Sequence, residues 1–371
     1  MTHQVTESVL VNELADPDTT MRDRASGAVR AHRQTLLRKR LTVAALSVLT
    51  IAMIAADIAI GSRGLELGET IRTLFAPGSS PSVDVKIVWE LRMPMTATAV
   101  LVGAALSLAG AQMQTVLNNP LAEPYTLGVS AAASFGAALS LVLGFSALPF
   151  GELLGTAGTA WVFAIGSSAV IIAVNAARGA QTETIVLLGI AMVFLFSSLL
   201  ALMQYIASEA QLQQVVFWTL GSLGRARWPQ VGLLAAVIMI AIPALMRLSP
   251  QLTAMRLGDE RARALGVPVV RLRIFVLAGL SVVAATAVSI AGSIAFIGMV
   301  GPHVARMLVG ESHRYFLATS VLTGSIVLCG SSLVAKLIIP GVILPVGIIT
   351  SIIGVPVFLS LILSRRRTLW A

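Results

Sequence analysis

The chain has 371 residues, 56% of them hydrophobic and 12% charged, with a mean hydropathy of +0.88. Soluble domains carry about 25% charged residues, so the composition excludes an ordinary water-soluble enzyme or binding domain. Cys329 is the sole cysteine, which excludes an intrachain disulfide, and its apolar neighbourhood suits a small core residue.

Residues 1–40 are polar and charged. They are expected to form a cytoplasmic N-terminal segment, partly disordered or holding a short amphipathic helix. This segment is unlike a signal-peptide n-region, and no small-residue cleavage site follows the first apolar run. That run, 41–61, therefore reads as a retained span. Further apolar runs lie near 93–116, 127–148, 155–177, 184–207, 229–247, 274–294, 296–310, 316–338 and 346–364. A spanning helix needs ~20 mostly apolar residues; several of these runs are short or interrupted by Gly and Pro. The expected fold is an all-α polytopic membrane domain over 41–371, with about ten spans, some of them broken.

The net charge of +9 could suggest a nucleic-acid partner, but its distribution reads as topology. With both termini in the cytoplasm, the outer segments hold only Arg63, Arg72, Lys86, Arg92, Arg225, Arg227 and Lys336, and the inner ones hold the other 19 of the 26 lysines and arginines. This is the positive-inside asymmetry. Trp89, Trp161, Trp218 and Trp228 fall at expected outer span ends, and Trp370 just past the last inner one, as an aromatic belt would place them.

An ion-coupled secondary transporter would need ionisable residues deep in the membrane. Only Asp57, Glu123, His303 and Arg306 approach that description, and no span carries a line of carboxylates. Glu123 sits between Pro120 and Pro124, where Asn118 and Asn119 also favour a broken helix; their plain reading is to satisfy such a junction. His303 has no second His or carboxylate at ligand spacing and reads as structural or gating, with no metal site expected. A prenyl transferase would want Asp-rich diphosphate motifs, and no two Asp residues are adjacent. None of the three lysines follows a glycine, so the phosphate-binding GxxxxGK[ST] loop is absent. No catalytic residue is expected, and no cofactor bound by this chain.

The longest inner loop, 248–273, contains Leu257-Gly258-Asp259-Glu260-Arg261-Ala262-Arg263-Ala264-Leu265-Gly266-Val267-Pro268. Asp259 and Glu260 suit a helix's first turn, Gly266 the left-handed position after its last, and Pro268 a stop. A two-turn helix is marginal alone in water and wants a surface to lie on. A solvated charged linker is the other reading of the same residues.

That loop resembles the coupling segment of the FecCD family of importer permeases. Arg92-Met93-Pro94 followed by Val102-Gly103-Ala104-Ala105-Leu106-Ser107-Leu108-Ala109-Gly110 is similar to the family's R-x-P…VGAALAxAG stretch. Asn119-Pro120-Leu121-Ala122-Glu123-Pro124 with Leu127-Gly128-Val129-Ser130 is similar to NPLA-[DE]-P…LGVS. Residues 292–306, which include Gly298, Pro302, His303 and Arg306, resemble G-x-I-x-F-[IV]-G-L-x-x-P-H-x-x-R. Leu344-Pro345-Val346-Gly347-Ile348-Ile349-Thr350 resembles LPVGxxT. These blocks span about 85–365 in order.

The resemblance implies a permease of an ATP-binding-cassette importer in a bacterial inner or plasma membrane. It would pair with a second copy or a paralogue, receive two cytoplasmic ATPases that use ATP and Mg, and accept cargo from an extracytoplasmic binding protein. The cargo expected is an iron(III)–siderophore complex, with haem or cobalamin as alternatives. Leu257, Gly258, Asp259, Glu260, Arg261, Ala262, Leu265 and Gly266 would contact the ATPase. Thr182, Glu183 and Thr184 would form the cytoplasmic gate; a plain polar turn, capped at Thr182 or Thr184, is the other reading. Arg92 and Lys336 would meet acidic residues of the binding protein. The resemblance also implies an inverted repeat of spans two to five against seven to ten, with Arg92 answering to Arg271 and Gly128 to Gly298. Departures are Met95, Ser332, Lys336 and Ile343 where the family often has a second basic residue, Asp, Arg and Glu. They thin the outer docking site and suit one half of a heterodimer.

Overall fold

The structure, a computed structural model, describes residues 17–61, 65–144, 151–177, 181–339 and 341–366. All regular structure among the described residues is helical. Chain order gives α1 (Pro17–Ala59), α2 (Leu67–Phe75), α3 (Ser82–Val116), α4 (Val129–Leu143), α5 (Gly151–Ala177), α6 (Thr182–Ile206) and α7 (Glu209–Thr219). Then follow α8 (Trp228–Arg247), α9 (Ser249–Met255), α10 (Asp259–Ala264), α11 (Val269–Ala291), α12 (Ile297–Val309), α13 (His313–Leu337) and α14 (Val346–Arg366). Among the described residues seven helices are long and apolar enough to cross a membrane, and α4, α12 and the apolar part of α14 are shorter. These ten match the ten runs expected from hydropathy.

The first helix departs from expectation. It runs unbroken from Pro17 into the first span, so 17–40 is a helical extension of that span; residues 1–16 lie outside the described residues, as does Trp370. Charged side chains do not end a helix. The polar-to-apolar boundary near residue 40 marks a change of solvent, not of backbone.

Small residues place α3 at the centre. It packs against α1, α11, α12 and α13, and most of its length is buried, whereas the spans of α1 and α6 are largely uncovered. A β-carbon on Gly110 would overlap the Gly298 carbonyl, so α3 and α12 meet backbone to backbone. Between apolar helices in lipid, such close approach supplies the packing that water-driven association cannot. Ser107 Oγ donates to the Ser320 carbonyl (2.6 Å) and Ser325 Oγ to the Val100 carbonyl (2.9 Å), cross-linking α3 and α13.

Two helices are half-length for a physical reason. Residues 118–128 and 292–296 are not helical, and each enters the next helix through a left-handed residue, Gly128 (φ +75°) before α4 and Phe296 (φ +70°) before α12. In conformation, Gly128 therefore answers to Phe296, two residues before the Gly298 that the repeat pattern pairs it with. The tryptophans need correction too. Trp228 Nε1 donates to the Trp89 carbonyl (2.9 Å), tying α8 to α3, while Trp218 is buried beneath Arg225. Trp218 is thus a core residue and not part of a belt.

Candidate functional site

The segment 248–268 folds as expected at its centre. Asp259–Ala264 is a short helix, and Gly258 (φ +95°) and Gly266 (φ +80°) bracket it with backbone that L-residues with side chains resist. The Gly266 N–H donates to the Arg263 carbonyl (2.9 Å) and the Val267 N–H to the Ala262 carbonyl (3.0 Å). Leu252, Met255 and Ala262 are buried against the bundle. Leu257 and Leu265 face outward, 53% and 65% exposed, beside exposed Glu260, Arg261 and Arg263. The result is a fixed knob of apolar and charged groups, not a solvated linker.

Its anchor escaped the sequence. Arg273 of α11 is fully buried and pairs with Asp259 Oδ1 at 2.7 Å. Its Nε donates to the Val116 carbonyl at the end of α3 (3.2 Å). Asp259 thus holds the knob onto the two central helices, beyond any interaction with its own helix dipole. Arg271, the residue singled out by the repeat pattern, is exposed. The signal was weak because Arg271 and Arg273 sit two residues apart, and only the helix's rotation decides which turns inward.

The two broken junctions meet at Gly298. The buried Glu123 side chain lies against Gly298, in the first turn of α12. A carboxylate near a helix N-terminus complements the helix dipole. Gln114 Nε2 donates to the Gly298 carbonyl (3.3 Å) and Arg306 to Gln114 Oε1 (3.2 Å). Asn119 Oδ1 accepts the Leu121 N–H (3.0 Å), and Thr126 Oγ1 exchanges hydrogen bonds with the backbone of Glu123, so the Pro120–Pro124 stretch is internally satisfied. Pro302 is buried within α12, and Thr323 Oγ1 donates to the Gly301 carbonyl (2.8 Å). His303 and Arg306 are half-buried. Gly347, just after Pro345, packs on the Leu220 and Ser293 carbonyls, bringing the start of α14 to the 292–296 stretch.

Thr182 is the first residue of α6, and the residue at its cap is Gln181, without a side-chain cap bond. The threonine-cap reading is corrected accordingly. Glu183 is exposed, with Thr182 and Thr184 half-buried; Arg178 lies outside the described residues.

Arg92 and Lys336 do not stand where a docking role needs them. Lys336 Nζ lies 2.9 Å from Asp57 Oδ1 and donates to the Asp57 carbonyl (2.8 Å). Thr96 Oγ1 donates to the other Asp57 oxygen. Arg92 donates to the carbonyls of Ile58 and Ala59 (3.1 Å each) and to Thr70 Oγ1 (3.3 Å). Both side chains are buried, at 6% and 5% residue exposure, and they fasten α1 to α3 and α13. Asp57 accounts for Lys336: a carboxylate inside the bundle is costly unless paired, and Lys336 turns inward to meet it, while Arg92 turns inward to the carbonyls that end α1. Among the described residues no group of three or more His, Cys, Asp or Glu could hold a metal.

Three comparisons with known proteins bear on this arrangement. A sequence profile described as the FecCD transport family matches residues 48–364. The chain is 33% identical over 326 residues to the vitamin B12 import system permease protein of Citrobacter koseri, covering 88% of this chain and 94% of that one. It is 34% identical over 313 residues to the hemin transport system permease protein of Yersinia pestis, covering 83% and 92%. A solved structure described as an inward-facing conformation of a metal-chelate type ABC transporter superposes with a TM-score of 0.75 at 28% identity, over 88% of this chain and 99% of that one.

Proposed function

We propose that this chain, which belongs to the FecCD transport family, carries iron(III)–siderophore complexes into the cell as the multi-pass permease subunit of an ABC importer. It works as a dimer with a second copy or a paralogue, and both termini lie in the cytoplasm. Two ATPases dock on the cytoplasmic side and supply the energy, and an extracytoplasmic binding protein delivers the cargo. The membrane is a bacterial inner or plasma membrane.

The observation that carries the coupling role is the knob at 257–266. It exposes Leu257, Leu265 and Glu260 while Asp259 is pinned to Arg273 and, through it, to α3. A short helix that presents apolar side chains to water and is rigidly tied to the central spans has the form of a docking element. Leu257, Gly258, Glu260, Arg261 and Leu265 then meet the ATPase, with Asp259, Ala262 and Gly266 shaping the element from behind. Thr182, Glu183 and Thr184 form the cytoplasmic gate against the same residues of the paired permease.

The siderophore reading is supported by the solved neighbour described as metal-chelate type. Haem and cobalamin form the second reading, favoured by the import functions in the names of two relatives. Proteoliposomes holding the permease with its ATPase and binding protein decide between them. ATP-dependent uptake of a ferric siderophore, with haem and cobalamin excluded, is the expected result. Uptake of haem or cobalamin alone would move the cargo to the second reading, and ATP hydrolysis by the purified permease alone would overturn the subunit role.

A further inference from the structure

Arg256 lies in the turn between α9 and α10, within the docking element. Its guanidinium pairs with Glu311 Oε1 at 2.5 Å and donates to the Glu311 carbonyl at 2.8 Å. Arg306 of α12 approaches the same carboxylate oxygen at 3.4 Å. The Arg306 fork then donates to Gln114 Oε1 on α3, and Gln114 Nε2 donates to the Gly298 carbonyl. Four side chains thus join the docking turn to the start of α12 in unbroken sequence: Arg256, Glu311, Arg306, Gln114. The fully buried Phe316 ring carries both guanidiniums, 5.8 Å and 5.2 Å from its centroid. A planar guanidinium held by two partners and an aromatic ring has little freedom to yield.

The far end of this chain is a break between two helices. Residues 292–296 are non-helical between two helices, entered at Gly292 (φ +81°) and left at Phe296 (φ +70°). A left-handed phenylalanine is unfavourable and persists only where its surroundings impose it. Here the Phe296 carbonyl accepts the Met299 and Val300 N–H groups (3.0 and 2.8 Å), and Gly354 leaves room for the ring. Displacement of α12 therefore bears directly on this turn.

We propose that Glu311, Arg306 and Gln114 are positioning residues that carry displacement of the docking turn to the 292–298 junction, so that the nucleotide state of the ATPase is felt where α12 begins. This rests on the permease reading above. It goes beyond that reading in naming the path and the element that responds.

The test uses the full chain with its ATPase in lipid nanodiscs, in a Cys329→Ser background. Ala295→Cys reports on the junction and Arg263→Cys on the docking helix, through maleimide labelling rates with and without vanadate-trapped nucleotide. In the otherwise unaltered chain, trapping should change the Ala295→Cys rate by about fivefold or more, the lower end of ordinary coupling between sites. Glu311→Gln, at an exposed position that folding tolerates, and Gln114→Leu should each abolish that change while the Arg263→Cys response persists. Glu311→Asp, which keeps a carboxylate between the two guanidiniums, should retain the change. An Ala295→Cys response that survives both single variants overturns the path, as does a junction that never responds although the ATPase is bound. Failure of any ATPase to associate would instead overturn the permease reading, and the path with it.

Discussion

Asp57 of α1 and Lys336 of α13 form an ion pair 2.9 Å long inside the protein, with 0% and 2% of their side chains exposed. Together with Arg92 and Thr96 they make the polar fastening between the first span and the core. The same residues bound what the sequence could reveal about the outer face. Removing one partner of a buried pair leaves an uncompensated charge, at a cost of about 3–5 kcal/mol. Lys336→Met should therefore lower the thermal unfolding midpoint markedly in detergent, and Asp57→Leu/Lys336→Met should recover most of the loss. If Lys336 served instead as an external docking charge, Lys336→Met would leave stability unchanged and slow capture of the binding protein.

The ten apolar segments were legible because lipid demands them: a backbone in hydrocarbon must satisfy its own hydrogen bonds, and long apolar helices do so visibly. The α10 helix was legible from its acidic first turn and Gly266. Besides the Arg273 anchor, three things were not. The helix through 17–40 has no apolar face to announce it. Lys336 and Arg92 sit at span ends, where a basic side chain reaches either outward to headgroups or inward to a carboxylate. The choice depends on Asp57 for Lys336 and on the carbonyls of Ile58 and Ala59 for Arg92, all far away in the chain. The left-handed conformation of Phe296 also had no signature, because phenylalanine disfavours it and its neighbours in the fold, the first turn of α12 and the packing around Gly354, hold it there.

Gly266 tests the docking element by conformation alone. A β-carbon there meets nothing within 4 Å, so a substitution costs only the left-handed backbone, about 1–2 kcal/mol for an ordinary residue. Gly266→Val should weaken co-purification of the ATPase while expression and membrane insertion stay normal. Gly266→Asn should retain most of the binding, because asparagine visits that conformation more readily. Equal co-purification by both variants and the unaltered chain would remove Gly266 from the docking element.

Gly110 tests the contact between α3 and α12. A β-carbon at this position would overlap the Gly298 backbone, with no flexible side chain to give way. Overpacking of this kind costs typically about 1–3 kcal/mol. Gly110→Ala should lower thermal stability in detergent, whereas Gly279→Ala, where a β-carbon meets nothing within 4 Å, should leave it unchanged. Equal midpoints for the two variants would show that α3 and α12 have room to separate.

The gate assignment has its own test, because it requires two chains. Thr182 opens α6, whose membrane-spanning window is only 11% buried within one chain. A long apolar helix this uncovered leaves its surface for lipid or for the paired permease. If the paired permease takes it, the Thr182 residues of two copies approach each other at the cytoplasmic mouth. Thr182→Cys in a Cys329→Ser background, placed in both permeases of the assembled importer, should then crosslink efficiently in one nucleotide state and poorly in the other. That dependence separates a gate from a static turn, which would crosslink equally in both states or in neither. Thr182→Ser should support uptake at the unaltered rate, since Thr182 makes no cap bond for the substitution to lose. Crosslinking that ignores nucleotide would leave Thr182, Glu183 and Thr184 as the first turn of α6 and nothing more.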